Sequence, residues 1–464
     1  MSDKNPLDSV RRSNDLYAFI LALYSFLDSI RIGDLHKAYN RFLKEKEEDD
    51  ESKKELLKLD EIVDYLLFSH TIGFTAWKNS WLDMAENTAV ELPVYCLCTL
   101  RKIDVIIKTI VFEKDSPVIY VGPMCTDNTY FLYLTKPENT FFSSVFKEEK
   151  IYPGRATVKF LNDTVNRYLD NFVVIKNTYL CNYIPKVFRY SGKAINKDTI
   201  RVAFVPFLRT RWFRTHLNVE TETFSISYSE YNMKIANKAY SDYIAQSEEN
   251  SADIIIFPEL AMNSLTEDIV KDIFIYAPKS FEKLKLCFLG SAWNNNSNTS
   301  VMMSSSGTVL ARQKKNEPYY HHIKDEVYYR EDIRYEKSIT LIDIESFGRI
   351  AYCICADINA KEIQSLIELM EVDFVFVSSY TKNTETMFKT AKETACLSKI
   401  SSILCNARSA KDPDKTEKHS NGFCVVPKAN NKKLSSKTVK KITDNGKNRE
   451  IEIFYLDLRR DTCK

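Results

Sequence analysis

Three segments in the C-terminal part of the chain read as strands that end on a side chain able to do chemistry. Asp253-Ile-Ile-Ile-Phe-Pro-Glu259 is a buried strand that breaks at Pro258 and presents the carboxylate of Glu259. Val309-Leu-Ala-Arg-Gln-Lys-Lys315 leaves a hairpin and presents an ammonium, at Lys314 or Lys315. Arg349-Ile-Ala-Tyr-Cys-Ile-Cys355-Ala-Asp357 ends on the thiol of Cys355, just ahead of a helix. Layered α/β proteins collect their reactive groups where strands end. The three types are also complementary. A thiol attacks as the thiolate, so it needs a base and positive charge nearby. Glu259 can be the base and Lys315 the charge. An ammonium is, besides, a donor for the oxyanion formed when sulfur adds to an amide carbonyl. Cys353 alternates with Cys355 along its strand and belongs to the opposite, core-facing side.

Positioning such groups requires a rigid sheet, and the pattern supplies one. Short apolar runs at Ile200–Pro206, Asp253–Phe257, Lys285–Gly290, Ile339–Ile344, Ile350–Cys355, Asp373–Ser378, Ser401–Cys405, Gly422–Val426 and Glu450–Leu458 read as strands. Helical periodicity over Tyr228–Gln246, Lys361–Met370 and Thr384–Lys399 alternates with them, the signature of an α/β layered domain. Gly307 marks the turn of a hairpin joining Ser300–Met303 to Val309–Gln313. The polar stretch Tyr190–Asp198 is the expected boundary, giving domains over 1–197 and 198–464. The first domain is expected to be mixed α+β and mainly helical. Leu16–Ile32 and Asp34–Leu43 read as helices, the stretch from Val90 to Phe146 as β-rich, and 155–178 as helical again.

Composition removes several alternatives. The chain has 464 residues and a formal charge of +2, and residues 1–197 hold 27 basic and 27 acidic side chains. No one-signed surplus advertises a nucleic-acid or anionic-membrane surface. Only 10 glycines occur, no two closer than 17 residues, so no glycine-rich phosphate loop can form. The 11 cysteines include no C-x-x-C pair, and the 6 histidines are too few and too scattered for a metal site, so neither metal nor cofactor is expected. This cysteine usage fits a reduced, cytoplasmic setting. The longest uncharged apolar stretch, Leu16–Leu27, is 12 residues, short of the roughly 20 that span a bilayer.

Taken in order, six segments of residues 198–464 resemble the nitrilase (carbon–nitrogen hydrolase) superfamily. They are Arg201-Val-Ala-Phe-Val-Pro, Phe257-Pro-Glu259-Leu, Gly307 to Lys315, Gly348 to Asp357, Val372–Ser379 with Leu404-Cys-Asn406, and Gly422 to Pro427. The resemblance implies an α-β-β-α sandwich and a Glu-Lys-Cys triad of Glu259, Lys315 and Cys355. It implies a second glutamate holding the lysine, best matched by Glu331, with Glu326 and Glu336 as alternatives. It also puts the backbone N–H of Ala356, and Ser378 and Ser379, beside the substrate. The implied reaction is hydrolysis of a small-molecule, non-peptide amide through a cysteine thioester, in a self-associating protein of at least two copies. Two other roles stay open on the same resemblance. One is an acyltransferase; the other is an effector or scaffold subunit, as in bacterial antiviral systems, binding a protein partner through 1–197. The chain departs from the family where Asn316-Glu317-Pro318 follows the lysine, at Ala356 in the elbow, and at Thr394 on the later helix.

Overall fold

The computed structural model describes residues 7–45, 50–69, 73–112, 117–126, 129–137, 140–141, 164–192, 195, 198–207, 213–277, 281–323, 327–407, 420–430, 433–443 and 453–459. The chain forms two compact units, one of residues 1–135 and 156–182, the other of 136–155 and 183–464. The expected boundary at 197/198 therefore lies inside the second unit. The reason is the strand Ile184–Tyr190, which pairs in parallel with Ser338–Ile344 and so belongs to the sheet that follows it.

The first unit is mainly helical, with helices Leu16–Asp28, Ile32–Glu45, Asp50–Ser69, Phe74–Asn87 and Leu92–Phe112. Asp15 caps the first of these by accepting the Ala18 N–H at 2.8 Å, and Phe19 on its buried face meets Trp77 and Trp81 edge-on, each at 5.0 Å. An antiparallel sheet of Cys125–Thr126, Tyr130–Leu134 and Phe172–Lys176 completes the unit. Two expectations are corrected here. The run from Leu92 to Phe112, which includes Cys96 and Cys98, is one 21-residue helix and not strand. Its apolar residues fall on every side, and such a run shows no period by which a buried helix can be told from a buried strand. Residues 155–163 lie outside the described residues, but 164–178 are not a long helix. A 3₁₀ turn at Val165–Tyr168 leads into the strand Phe172–Lys176. No single helix among the described residues is long and apolar enough to cross a membrane.

In the second unit two sheets lie face to face between helices. One runs Ile184–Tyr190, Ser338–Ile344, Gly348–Ile354, Phe374–Ser379, Ser401–Asn406, Ser420–Asn430, Lys433–Thr443. The other runs Val309–Lys314, Ser297–Ser304, Leu286–Asn294, Ile254–Ile256, Thr199–Phe204, Phe454–Arg459. Phe288 of the second stacks on Phe376 of the first with centroids 4.0 Å apart. Helices Glu230–Glu249 and Thr266–Tyr276 cover the outer face of the second sheet, where Tyr240 and Phe274 join the cluster of Ile255, Phe257 and Cys287. Lys361–Leu369 and Glu385–Ser398 flank the first sheet. The architecture is the expected α-β-β-α sandwich. Its central strands are apolar on both faces because both faces are covered. An additional sheet of Tyr320–Ile323, Val327–Glu331, Thr223–Tyr228 and Phe213–Asn218 carries none of the expected strands.

Candidate active site

The carboxylate of Glu259 is placed by a glycine. At Gly290 the strand Leu286–Asn294 bulges with φ +79°, and a Cβ there would lie 2.1 Å from the Pro258 carbonyl oxygen. Only glycine lets the two backbones approach so closely. Past the bulge, Ser291 fixes the turn after Glu259. Its hydroxyl accepts the Leu260 N–H at 3.1 Å and its carbonyl accepts the Met262 N–H at 3.0 Å. The Gly290 N–H in turn donates to the Tyr352 hydroxyl at 3.0 Å, tying this segment to the strand that ends at Cys355.

Lys314 and Lys315 part company at the end of their strand. Lys314 is partly exposed and pairs with Glu336. Lys315 is buried, its main-chain N–H donating to the Asn298 carbonyl at 2.8 Å. Its ammonium lies 2.7 Å from Glu259 Oε1 and 2.6 Å from Glu331 Oε2. Of the three candidate glutamates, Glu331 is the one that meets the Lys315 ammonium. Glu336 is partly exposed and engaged by Lys314 and Lys186, while Glu326 lies outside the described residues. Glu331 ends the strand Val327–Glu331, where its N–H donates to the Tyr319 carbonyl at 2.7 Å and its Oε2 accepts the Tyr319 N–H at 2.8 Å. Glu259 Oε2 accepts the Tyr380 N–H at 3.0 Å.

Cys355 follows the strand Gly348–Ile354 with φ +50°, a left-handed conformation costly for any side chain with a Cβ, and starts a 3₁₀ turn in which Ala356 comes next. Asp357 holds this elbow. Its Oδ1 accepts the N–H groups of Asn316 and Glu317 at 3.0 and 2.8 Å, and its Oδ2 accepts that of Ile354 at 3.2 Å. The loop after Lys315 and the turn at Cys355 are therefore joined through one carboxyl. Burial pushes Asp357 up to about 7, against those three N–H bonds and the Lys315 charge.

The two serines divide. Ser379 donates to the Cys355 sulfur at 3.5 Å. Ser378, one residue earlier on the same strand, faces the other way; its hydroxyl donates to the Phe257 carbonyl at 2.6 Å and contacts the Tyr352 hydroxyl at 2.8 Å. It ties the two sheets together and does not join the cluster.

Electrostatically the site sets a thiol with a raised pKa beside one ammonium and two carboxyl groups. Glu259, Lys315, Glu331 and Cys355 are only 2–3% exposed. Burial pushes the Cys355 thiol up to about 12; the Glu259 charge adds to the rise, while Lys315 and the Ser379 hydrogen bond oppose it. Burial also raises Glu331, with Glu259 adding to it and Lys315 working against it. Lys315 is the reverse. Burial alone would lower it, but the charges of Glu259 and Glu331 hold it well above the ordinary lysine range. The lysine's charge is shared between two carboxylates, and its opposition to the rise at Cys355 is outweighed by burial. Cys353, also buried, is raised well above the thiol range and takes no part.

Sequence reasoning missed Asn298, whose Nδ2 donates to Glu259 Oε1 at 2.9 Å and Glu331 Oε1 at 3.3 Å. It sits in the run Asn294-Asn295-Asn296-Ser297-Asn298, which reads as a plain turn. Tyr319 and Tyr380 were also missed. Burial raises both phenols; the Tyr319 phenol also feels Cys355, Lys315 and both glutamates, and that of Tyr380 feels Glu259. Among the described residues no group of three or more His, Cys, Asp or Glu side chains is placed to hold a metal ion.

No protein-family model and no curated protein matches the sequence. Among solved structures, the chain is similar to a glutamine-dependent NAD+ synthetase from Acinetobacter baumannii, at 13% identity and a TM-score of 0.38, over 57% of this chain and 46% of that one. It thus spans less than half the length of that protein. A point mutant of an amidase of the nitrilase superfamily from Nesterenkonia AN1 matches at 11% identity and TM-score 0.38, over 58% of this chain and 94% of that one. Saccharomyces cerevisiae Nit3, a member of branch 10 of the nitrilase superfamily, matches at 15% identity and TM-score 0.38, over 59% and 94%. The latter two are themselves nitrilase-superfamily proteins, and each leaves some two fifths of this chain unmatched.

Proposed function

We propose that the second unit is a carbon–nitrogen hydrolase that cleaves a non-peptide amide bond through a thioester on Cys355. The observation that carries the reading is the convergence of the Lys315 ammonium on Glu259 and Glu331, with the Cys355 sulfur in the field of Glu259 and Lys315. In this reading Glu259 takes the thiol proton as sulfur bonds to the substrate carbonyl carbon, which fits a thiol that rests protonated. The carbonyl oxygen becomes an oxyanion held by the Lys315 ammonium and the Ala356 N–H. Glu259 then passes the proton to the departing nitrogen, the C–N bond breaks, and ammonia or an amine leaves a thioester. Water attacks that thioester, giving a proton to Glu259. The acid departs as the C–S bond breaks, and the proton returns to sulfur. Glu331 does not touch the substrate; it keeps Lys315 charged and oriented.

The test combines ammonia release from a panel of small amides with intact-mass analysis of the protein. An acyl adduct that maps to Cys355, and loss of both adduct and ammonia release in Cys355→Ala, are expected. Turnover that survives in Cys355→Ala ends the mechanism. Capture of the acyl group by an added amine in preference to water would make the enzyme a transferase.

A further inference from the structure

Asn298 is 1% exposed and touches each charged member of the cluster. Its main-chain carbonyl receives the Lys315 N–H, which fixes its place beside the lysine. Its side-chain amide donates to one oxygen of each glutamate, Oε1 of Glu259 and Oε1 of Glu331. The orientation of that amide is not arbitrary. Turned over, its oxygen would face two carboxylate oxygens and be repelled by both. With Nδ2 toward the carboxylates, however, Oδ1 is left buried without a hydrogen-bond partner among the described residues. A leucine would fill similar space and leave no orphaned acceptor, so packing alone disfavours asparagine here. The amide is retained for its N–H groups.

What those groups do follows from the charges. Two carboxylates face a single ammonium inside the protein, an excess of one negative charge, and like charges so placed tend to share a proton. Among the described residues, the other titratable groups facing them are Cys355, Tyr319, Tyr380 and Tyr228, none of them a cation. Hydrogen-bond donors to the carboxylates oppose that sharing. Glu259 has the Tyr380 N–H and Glu331 the Tyr319 N–H, one each. Asn298 serves both at once.

We propose that Asn298 is a positioning residue that keeps Glu259 and Glu331 ionised together, so that Glu259 is free to accept the thiol proton. The last clause rests on the proposed function; the ionisation of the pair does not. The first experiment therefore needs no substrate. Thermal stability of the full chain is compared between wild type, Asn298→Leu and the smaller Asn298→Ser from pH 5 to pH 8. Without the amide the pair binds a proton more readily when folded, so each variant should lose little at pH 5 and progressively more toward pH 8. A loss equal at every pH would show a packing role and overturn the proposal, and either variant suffices if the other fails to fold. The second experiment follows acylation of Cys355 by p-nitrophenyl acetate against pH. The acid limb in Asn298→Leu should move up by about one pH unit, with Asn298→Gln returning it toward wild type. A pH-dependent stability loss without any wild-type acylation would sink the hydrolase reading and leave the role of Asn298 standing; an unshifted acid limb would sink the latter.

Discussion

The Ser379 hydroxyl donates to the Cys355 sulfur across 3.5 Å because Gly348–Ile354 and Phe374–Ser379 are parallel neighbours with Ile354 opposite Ser378. One step beyond that pair, Ser379 comes level with Cys355. The register that places one serine at the sulfur turns the other into the space between the sheets. Ser379→Ala should therefore slow alkylation of Cys355 about tenfold, the weight of one hydrogen bond to a forming thiolate. Ser378→Ala should leave that rate unchanged and lower the melting temperature instead. Peptide-resolved alkylation tells the two apart, and equal rates in all three proteins would contradict the assignment. Exposed Cys181 is an internal control for the reagent.

With the Cys355 thiol pushed to about 12, its alkylation in wild type should rise about tenfold per pH unit from pH 7 to 10 without levelling off. A plateau below pH 8 would show a resting thiolate and reverse the electrostatic account of the site.

Cys355 holds φ +50°, a conformation that costs a residue with a Cβ roughly 1 kcal/mol and glycine nothing. Cys355→Gly should accordingly be more stable than Cys355→Ala by about 1 kcal/mol in urea denaturation, though both are inactive. The reverse order would mean that no strain is stored at this turn.

Removing the ammonium leaves two buried carboxylates facing each other. Lys315→Met should cost about 3–5 kcal/mol. Adding Glu331→Gln should restore part of that stability without restoring activity. If the single variant loses less than about 1 kcal/mol, the cluster is better hydrated than its burial implies.

Asp357 gives the fold a pH dependence near neutrality. Its folded value of about 7 lies above the unfolded aspartate value, so the folded state binds the proton more tightly. That contribution is fully present at pH 4 and below and is lost as pH rises through 7. Asp357→Asn keeps an acceptor for the Asn316 and Glu317 N–H groups and cannot titrate. Its stability should be lower overall yet flatter than wild type between pH 5 and 8. A variant that keeps the wild-type slope would assign the slope to another group.

The layering of the second unit was legible in the residues. Apolar runs of strand length, such as Asp253–Phe257 and Ile350–Cys355, read as central strands, and Glu259 and Cys355 follow them as Lys315 follows Val309–Lys314. The sheet of Phe213–Asn218, Thr223–Tyr228, Tyr320–Ile323 and Val327–Glu331 was not legible: the exposure of Phe213–Asn218 erases the alternation that marks a half-buried strand, and the alternation of Thr223–Tyr228, with Phe224 and Ile226 buried, was overlooked. The helix Leu92–Phe112 was misread for the opposite reason, an excess of apolar residues without period.

Sequence alone decided which side chains could react, since type and order along the chain are local properties. It left Lys314 against Lys315, and Glu331 against its rivals, unresolved. Which of them is buried against the other only tertiary structure shows, because a charge becomes part of a buried cluster only when residues distant in sequence supply its partners. Asn298 is the clearest case. Nothing in a polar asparagine run distinguishes it, and its role exists only where three separate strands bring Glu259, Lys315 and Glu331 around one amide.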